Sequence, residues 1–313
     1  MRVMVTGAAG LIGSHLCESL IARGDEVVAV DNFLTGQRAN VDSLLESDGF
    51  TFLESDAAHV GALDLPGPID AICQLASAAS PTDFSKIPVE ILKAGSEAIF
   101  ATLELAQRHD ARYLLASTSE VYGEPLVHPQ TEEYWGNVNP IGPRACYDES
   151  KRFAEAAVST YARSFGVDTG IVRIFNTYGP RMRVNDGRVV SNFVVQALRE
   201  EPLTIQGDGS QSRSFCYVTD QVAGLMALLD SDEPGPFNIG NPDEFTILEL
   251  AEIVMELTGS TSPIEYLPLP QDDPTQRRPD ISRASASLGW SPSVSLRDGL
   301  PHVVEYFKRA LHA

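Results

Sequence analysis

A chain of 313 residues, 43% hydrophobic and 21% charged, has globular composition and is long enough for one nucleotide-binding domain with a smaller partner. Its formal net charge of −20 repels nucleic acid and anionic membrane surfaces. No segment reaches the roughly 18 apolar residues of a membrane span, and no basic n-region precedes a signal-like stretch. Cys17, Cys73, Cys146 and Cys216 are scattered with no CxxC pair, so neither a zinc site nor a disulfide framework is expected. A cytoplasmic protein with reduced thiols and no bound metal is expected instead.

In chain order, Arg2–Thr6, Glu26–Asp31, Thr51–Ser55, Ala71–Leu75, Arg112–Ser117 and Asp168–Phe175 read as strands. Leu11–Ala22, Pro88–His109 and Tyr147–Phe165 read as helices between them. This alternation predicts an α/β fold, a doubly wound parallel sheet whose ligands bind beyond the carboxyl ends of the strands. After Phe175 glycine, proline and short elements become common, and Thr246 with Glu249 forms a capping box that starts a helix. The division expected is a dinucleotide-binding domain over 1–175 and a smaller α/β substrate domain over 176–313. Part of the latter, about 215–240, returns to the first domain.

The first strand runs directly into Thr6-Gly7-Ala8-Ala9-Gly10-Leu11-Ile12-Gly13. Glycines at a strand–helix junction let the backbone approach a pyrophosphate, and the helix that follows offers free N–H groups and a positive dipole end. Asp31, at the end of the second strand, lies 18 residues past Gly13, close to the offset of an acid that bonds the adenosine ribose hydroxyls. A carboxylate there repels a 2′-phosphate, which favours NAD over NADP. With the strand alternation, this makes the expected fold Rossmann-type. Candidate cofactor contacts are Gly7, Gly10, Leu11, Ile12, Gly13, Asp31, Asn32, Thr35, Gly36 and Leu75. Asp56 is either at the adenine edge or a plain strand-end turn residue.

Tyr147-Asp148-Glu149-Ser150-Lys151 places Tyr147 and Lys151 at i and i+4 on one helical face. A phenol of ordinary pKa near 10 is a poor base at neutral pH. A neighbouring Lys cation and a nicotinamide cation would both favour the phenolate. The pair then takes a proton from an alcohol as hydride leaves. Lys is kept here in a chain with only four, Lys86, Lys93, Lys151 and Lys308, and Arg is not an equivalent small, tunable cation. Thr118 and Glu120, in Ser117-Thr118-Ser119-Glu120, follow a strand. Thr118 is placed to share a hydrogen bond to the reacting hydroxyl, and Glu120 to orient a sugar ring or assist proton transfer. A hydroxyl-rich turn is the plainer reading of that stretch.

TGAAGLIGSH, Asp31, STSEVYG, YDESK and RIFNTYGPR together resemble the extended short-chain dehydrogenase/reductase superfamily. NPIGPRACYDESKR, NDGRVVSNF and QDDPTQRRPDI are similar to stretches of UDP-glucuronate decarboxylases, also called UDP-xylose synthases, and the likeness runs over nearly the whole chain. The resemblance implies Tyr147 as base, supported by Lys151 and Thr118, with Glu120 acting at the sugar. It implies Arg277 near the reacting carbons, and Asn176, Arg188, Arg213 and Tyr217 near the sugar or diphosphate. Independently, an Arg fork suits a diphosphate or carboxylate, although a surface ion pair is the commoner role of any single Arg.

The implied reaction oxidises C4 of UDP-glucuronate, loses carbon dioxide from the 4-keto sugar and returns hydride to give UDP-xylose. Two positions depart from relatives. Ser119 stands where 4,6-dehydratases carry an acidic Asp, which argues against dehydration. Gly95 stands where relatives often have Asn. Animal relatives carry an N-terminal membrane anchor, whereas this chain resembles soluble forms. A homodimer through Pro88–His109 and Tyr147–Phe165 is implied. A decarboxylase for another nucleotide such as dTDP, one that releases the 4-keto pentose, a 4-epimerase and a 4,6-dehydratase remain open from the residues. So does a non-catalytic NAD-sensing protein.

Overall fold

Arg2–Thr6 (β1), Glu26–Asp31 (β2), Phe50–Glu54 (β3), Ala71–Gln74 (β4), Arg112–Thr118 (β5) and Thr169–Ile174 (β6) are the strands of the amino-terminal half in the computed structural model, which describes residues 1–312. Between them run the helices Leu11–Arg23 (α1), Pro81–Phe84 (α2), Pro88–Ala94 (α3), Glu97–His109 (α4) and Ala145–Phe165 (α5). The period-2 alternation of strand side chains separates two apolar layers. Val3, Val5, Val27 and Ala29 pack on one face of the sheet, and Met4, Val28, Val30 and Ile72 on the other. Both faces are covered, which is why these strands read as nearly continuous apolar runs.

The stretch expected as one helix over 88–109 is two, α3 and α4. The break falls at Gly95-Ser96, where Ser96 leaves helical geometry at φ −129°, ψ −72°. A Cβ on Gly95 would collide with the Cβ of Ser150 on α5, so the chain has room to pass only without a side chain at 95. Gly95→Asn is therefore expected to destabilise the protein by about 1–3 kcal/mol. Adding Ser150→Gly should recover part of that, even though glycine inside a helix by itself costs about 0.5–1 kcal/mol. Thermal unfolding of both single variants and the double variant measures the coupling, and strictly additive losses would contradict it.

Downstream come Thr177–Tyr178 (β7), Val189–Leu198 (α6), Leu203–Gln206 (β8), Ser212–Ser214 (β9), Cys216–Tyr217 (β10), Val218–Leu229 (α7) and Phe237–Ile239 (β11). They are followed by Glu244–Thr246 (β12), Ile247–Thr258 (α8), Ile264–Leu267 (β13), Gln276–Arg277 (β14), Ser282–Leu288 (α9) and Leu296–His312 (α10). β11 pairs with β6 and completes a seven-stranded parallel sheet of order β11-β6-β5-β4-β1-β2-β3. Val222, Leu225 and Leu228 of α7 pack into the same apolar layer as Leu16 and Leu20 of α1. A separate core gathers Phe193, Leu250, Leu300 and Phe307 from α6, α8 and α10. Thr246 and Glu249 close the capping box at the start of α8. The strand order reverses between β1 and β4, so a crevice opens beyond their carboxyl ends.

Candidate active site

One large cleft, about 860 Å³, lies at that crevice and extends under β9 and β14. Its floor is the glycine turn. Gly7 sits at φ +69°, and a Cβ there would come 2.8 Å from the backbone nitrogen of Ala76. A Cβ on Gly13 would run into the carbonyl of Gly7. The turn therefore holds its shape only with bare backbone, the form a diphosphate needs. Asp31 is fixed beside it: the N–H of Ala9 donates to Oδ2 at 2.9 Å and that of Phe33 to Oδ1 at 2.8 Å. Burial pushes the Asp31 carboxyl up, against these two donors. The residues fit a dinucleotide. Gly7, Gly10, Leu11, Ile12, Gly13, Asp31, Asn32, Thr35, Gly36, Asp56 and Leu75 all line the cleft. Asp56 caps the following turn through the N–H of Ala58 at 2.8 Å and accepts from Asn32 Nδ2 at 2.9 Å, and it lines the cleft as well.

Thr118, Glu120, Tyr147, Lys151, Asn176, Arg188, Arg213 and Arg277 line the same cleft. Burial pushes the Tyr147 phenol up to about 12, with a Thr118 hydrogen bond pulling the other way. Lys151 Nζ lies 5.9 Å from the centre of the Tyr147 ring. Its Nζ donates to the carbonyl of Ala116 at 2.8 Å, and burial lowers the ammonium itself to about 8. The protein's own groups thus hold Tyr147 protonated at neutral pH. The Lys151 ammonium is one positive charge beside the ring, and a nicotinamide cation would be a second, both favouring the phenolate. Phe84, which no sequence signal singled out, stacks on Tyr147 with centroids 5.0 Å apart and planes at 17°.

Arginines crowd the far wall. β14 pairs with β9 in a register that sets Arg277 beside Arg213. Arg277 ion-pairs with Glu120, whose other oxygen lies 2.9 Å from Arg144 Nη2. Asp273 bridges Arg144 at 3.3 Å and Arg213 at 3.0 Å. Arg188 is held by Asp186, with Nη2 donating to Oδ2 at 2.9 Å. The Nε of Arg277 is buried with no partner among the described residues, and burial pushes Arg213 down. These cations answer the need that an acidic protein has if it is to bind an anion.

Asp148 completes the group: it is buried and its Oδ1 has no partner among the described residues. Burial, then Glu120, raises it to about 7. A raised carboxyl loses stability as pH climbs from its unfolded value near 4 to its folded value near 7. Asp148→Asn should match the parent at pH 4 and exceed it at pH 8 by about 1–2 kcal/mol, once coupling to Glu120 is discounted. Chemical denaturation across pH tests this, and equal stability at pH 8 would refute it.

Tyr217 does not belong to the site. It pairs in register with Tyr178 of β7, and its ring packs 5.4 Å from that of Tyr178 and 6.1 Å from His302 of α10. Its place in the chain next to β9 does not carry it to the cleft wall. Arg144 and Asp273 do line the cleft. Both lie in the quoted stretches, but a contact between segments so far apart in sequence leaves no local pattern.

A cleft of this form marks a class, the α/β enzymes that bind a dinucleotide across a topological switch point and react a second ligand against it. The chain belongs to the NAD dependent epimerase/dehydratase family, matched over residues 3–240, and NAD is its cofactor. It is 51% identical to UDP-glucuronic acid decarboxylase 1 of Arabidopsis thaliana over 99% of this chain and 71% of that one. Identity is 50% to UDP-glucuronic acid decarboxylase 1 of Danio rerio, over 99% and 73%. Among solved structures, UDP-glucuronic acid 4-epimerase from Bacillus cereus with UDP-glucuronic acid and NAD superposes with a TM-score of 0.89 at 31% identity. That match covers 99% of this chain and all of the other.

Proposed function

We propose that the protein decarboxylates UDP-glucuronate to UDP-xylose. The observation that carries this reading is the placing of Arg277 on Glu120 at the wall of the cleft that also holds Tyr147 and Thr118. Supporting it, identity to the decarboxylases is about 50%, against 31% to the solved 4-epimerase. Ser119, buried at the end of β5, lacks the carboxyl that a dehydratase needs there.

The chemistry NAD+ supplies in the cleft is reversible hydride acceptance from C4 of the sugar. Tyr147 takes the C4 hydroxyl proton. Once C4 is a ketone, the C5 carboxylate is β to it, and its C–C bond breaks with the electron pair passing into an enolate. Tyr147 and Thr118 hold that oxygen by hydrogen bonds. A water held by Arg277 delivers a proton to C5, its hydroxide being reprotonated from solvent, and Tyr147 returns its proton to the C4 oxygen. One carboxylate leaves as carbon dioxide and one proton replaces it, so no net oxidant is consumed.

Proton NMR of the protein with UDP-glucuronate and catalytic NAD+ tests this reading. UDP-xylose with no accumulating NADH is the expected result. A 4-keto pentose with stoichiometric NADH would remove the hydride return, and untouched UDP-glucuronate would remove the substrate.

The protein acts as a homodimer in this reading. Val89 and Leu92 of α3, Phe100 of α4, and Phe153 and Phe165 of α5 are large apolar side chains left exposed on neighbouring helices. Phe100 and Phe153 meet edge to face at 5.6 Å, and a patch of this kind is an association surface. Phe100→Glu with Phe153→Glu is expected to give a monomer by light scattering, while an unchanged mass would move the interface elsewhere. A reducing cytoplasm suits the four unbridged cysteines, and no helix among the described residues is long and apolar enough to cross a membrane.

A further inference from the structure

Arg181 stands three residues past β7 in the left-handed region, at φ +74°. A long side chain there is strained, and such strain persists where the surroundings over-determine the residue. Its surroundings tie two parts of the molecule together. Its Nη2 donates to Glu18 of α1 at 3.0 Å. Its carbonyl accepts from Asn40 Nδ2 at 3.4 Å, and the same amide donates to the carbonyl of Ala9, inside the glycine turn, at 2.9 Å. Asn40 is buried. The N–H of Gln37 donates to that same Ala9 carbonyl at 3.0 Å. Arg181, Asn40 and Gln37 line the cleft beside Gly10 and Leu11. The Nη1 of Arg181 and the Nε2 of Gln37 are both buried without partners among the described residues.

We propose that Arg181 is a positioning residue that latches the segment after β7 onto the glycine turn and α1, through Glu18 on one side and Asn40 on the other, and thereby slows release of the dinucleotide. The inference rests on the reading of the cleft as a hydride-returning NAD site. That reaction requires the same cofactor molecule to stay in place while the sugar changes, and loss midway strands a ketone. A cofactor resting on the glycine turn leaves most easily when the segment above it lifts. Here, lifting means breaking the ion pair to Glu18 and the bond from the buried Asn40 amide to the Arg181 carbonyl. Arg181 need not touch the ligand, because it acts through the turn that does.

The test is release of NADH from the full chain, followed by its fluorescence during a chase with excess NAD+, with thermal unfolding of each ligand-free variant alongside. Glu18→Gln removes a half-exposed partner and should fold as the parent does. Release is expected to quicken by about two- to fivefold, the range open to a partly exposed ion pair. Arg181→Gly quickens it further. Because glycine adopts the left-handed conformation freely, this variant should lose retention without a matching loss of Tm. The swapped pair Glu18→Arg with Arg181→Glu should bring release back toward the parent rate, which a merely structural role would not do. Unchanged release in both single variants overturns the latch, as does quicker release that only tracks a falling Tm. If the parent chain binds no NADH, the cofactor reading falls and takes the latch with it.

Discussion

Tyr147→Phe is expected to cut the turnover of UDP-glucuronate about 10³-fold, within the range that loss of a general acid–base group gives, and to leave the fold intact. The variant keeps the ring that stacks on Phe84 at 5.0 Å and removes only the oxygen. That oxygen is asked to take a proton, hold an enolate and give the proton back. Dinucleotide affinity should change little, since the glycine turn and Asp31 carry it. This separates an enzyme from an NAD-sensing protein, which would keep its response to NAD. The parent's pH profile should carry the same signature. Burial pushes the phenol up, and the Thr118 hydrogen bond and the cations beside the ring draw it down, so turnover should rise with pH until the phenol has titrated. The profile and the variant's rate by NMR decide the matter together: turnover within tenfold of the parent would place the base elsewhere.

The parts of this site that sequence makes legible are those whose geometry is local. Gly7 to Gly13 and Asp31 sit on one strand–turn–helix–strand run, whose dimensions fix their positions. Tyr147 and Lys151 share a helical face by spacing alone. What the pattern did not carry is contact between distant segments. The register that sets Arg277 beside Arg213 joins residues from two short strands in different parts of the chain. The Gly95 break depends on Ser150, a residue on another helix. Tyr217 is a further case. The resemblance implies a place for it near the sugar or diphosphate, but pairing with Tyr178 turns its ring into the core. The bond from the Lys151 ammonium to the Ala116 carbonyl is likewise a backbone contact that no residue pattern encodes.

Glu120→Gln is expected to lower stability by about 3 kcal/mol, the lower end of the cost of removing one partner from a buried ion pair. Arg277, 3% exposed, and Arg144, 11% exposed, would both remain charged in the wall with the carboxylate gone. Arg144 keeps Asp273, and Arg277 keeps only the carbonyl of Gly123 at 3.3 Å, which is why the loss is large without being total. For a chain of this size it corresponds to a fall in Tm of roughly 5–10 °C. The sign with pH follows from the carboxyl. Burial pushes it up, but Arg277 and Arg144 outweigh burial and hold it at about 2, below its ordinary 4.5. A depressed carboxyl stabilises the fold above its unfolded value, and that contribution disappears as pH falls toward the folded value. The gap between parent and variant should therefore be open above about 4.5, narrow below it and close toward 2, with the relief of Asp148 on losing Glu120 trimming it somewhat as pH climbs toward 7. Thermal unfolding of both proteins from pH 3 to 8 reads this directly. A gap as wide at pH 3 as at pH 7 would mean that shape, and not the charge of Glu120, holds the two arginines in the wall.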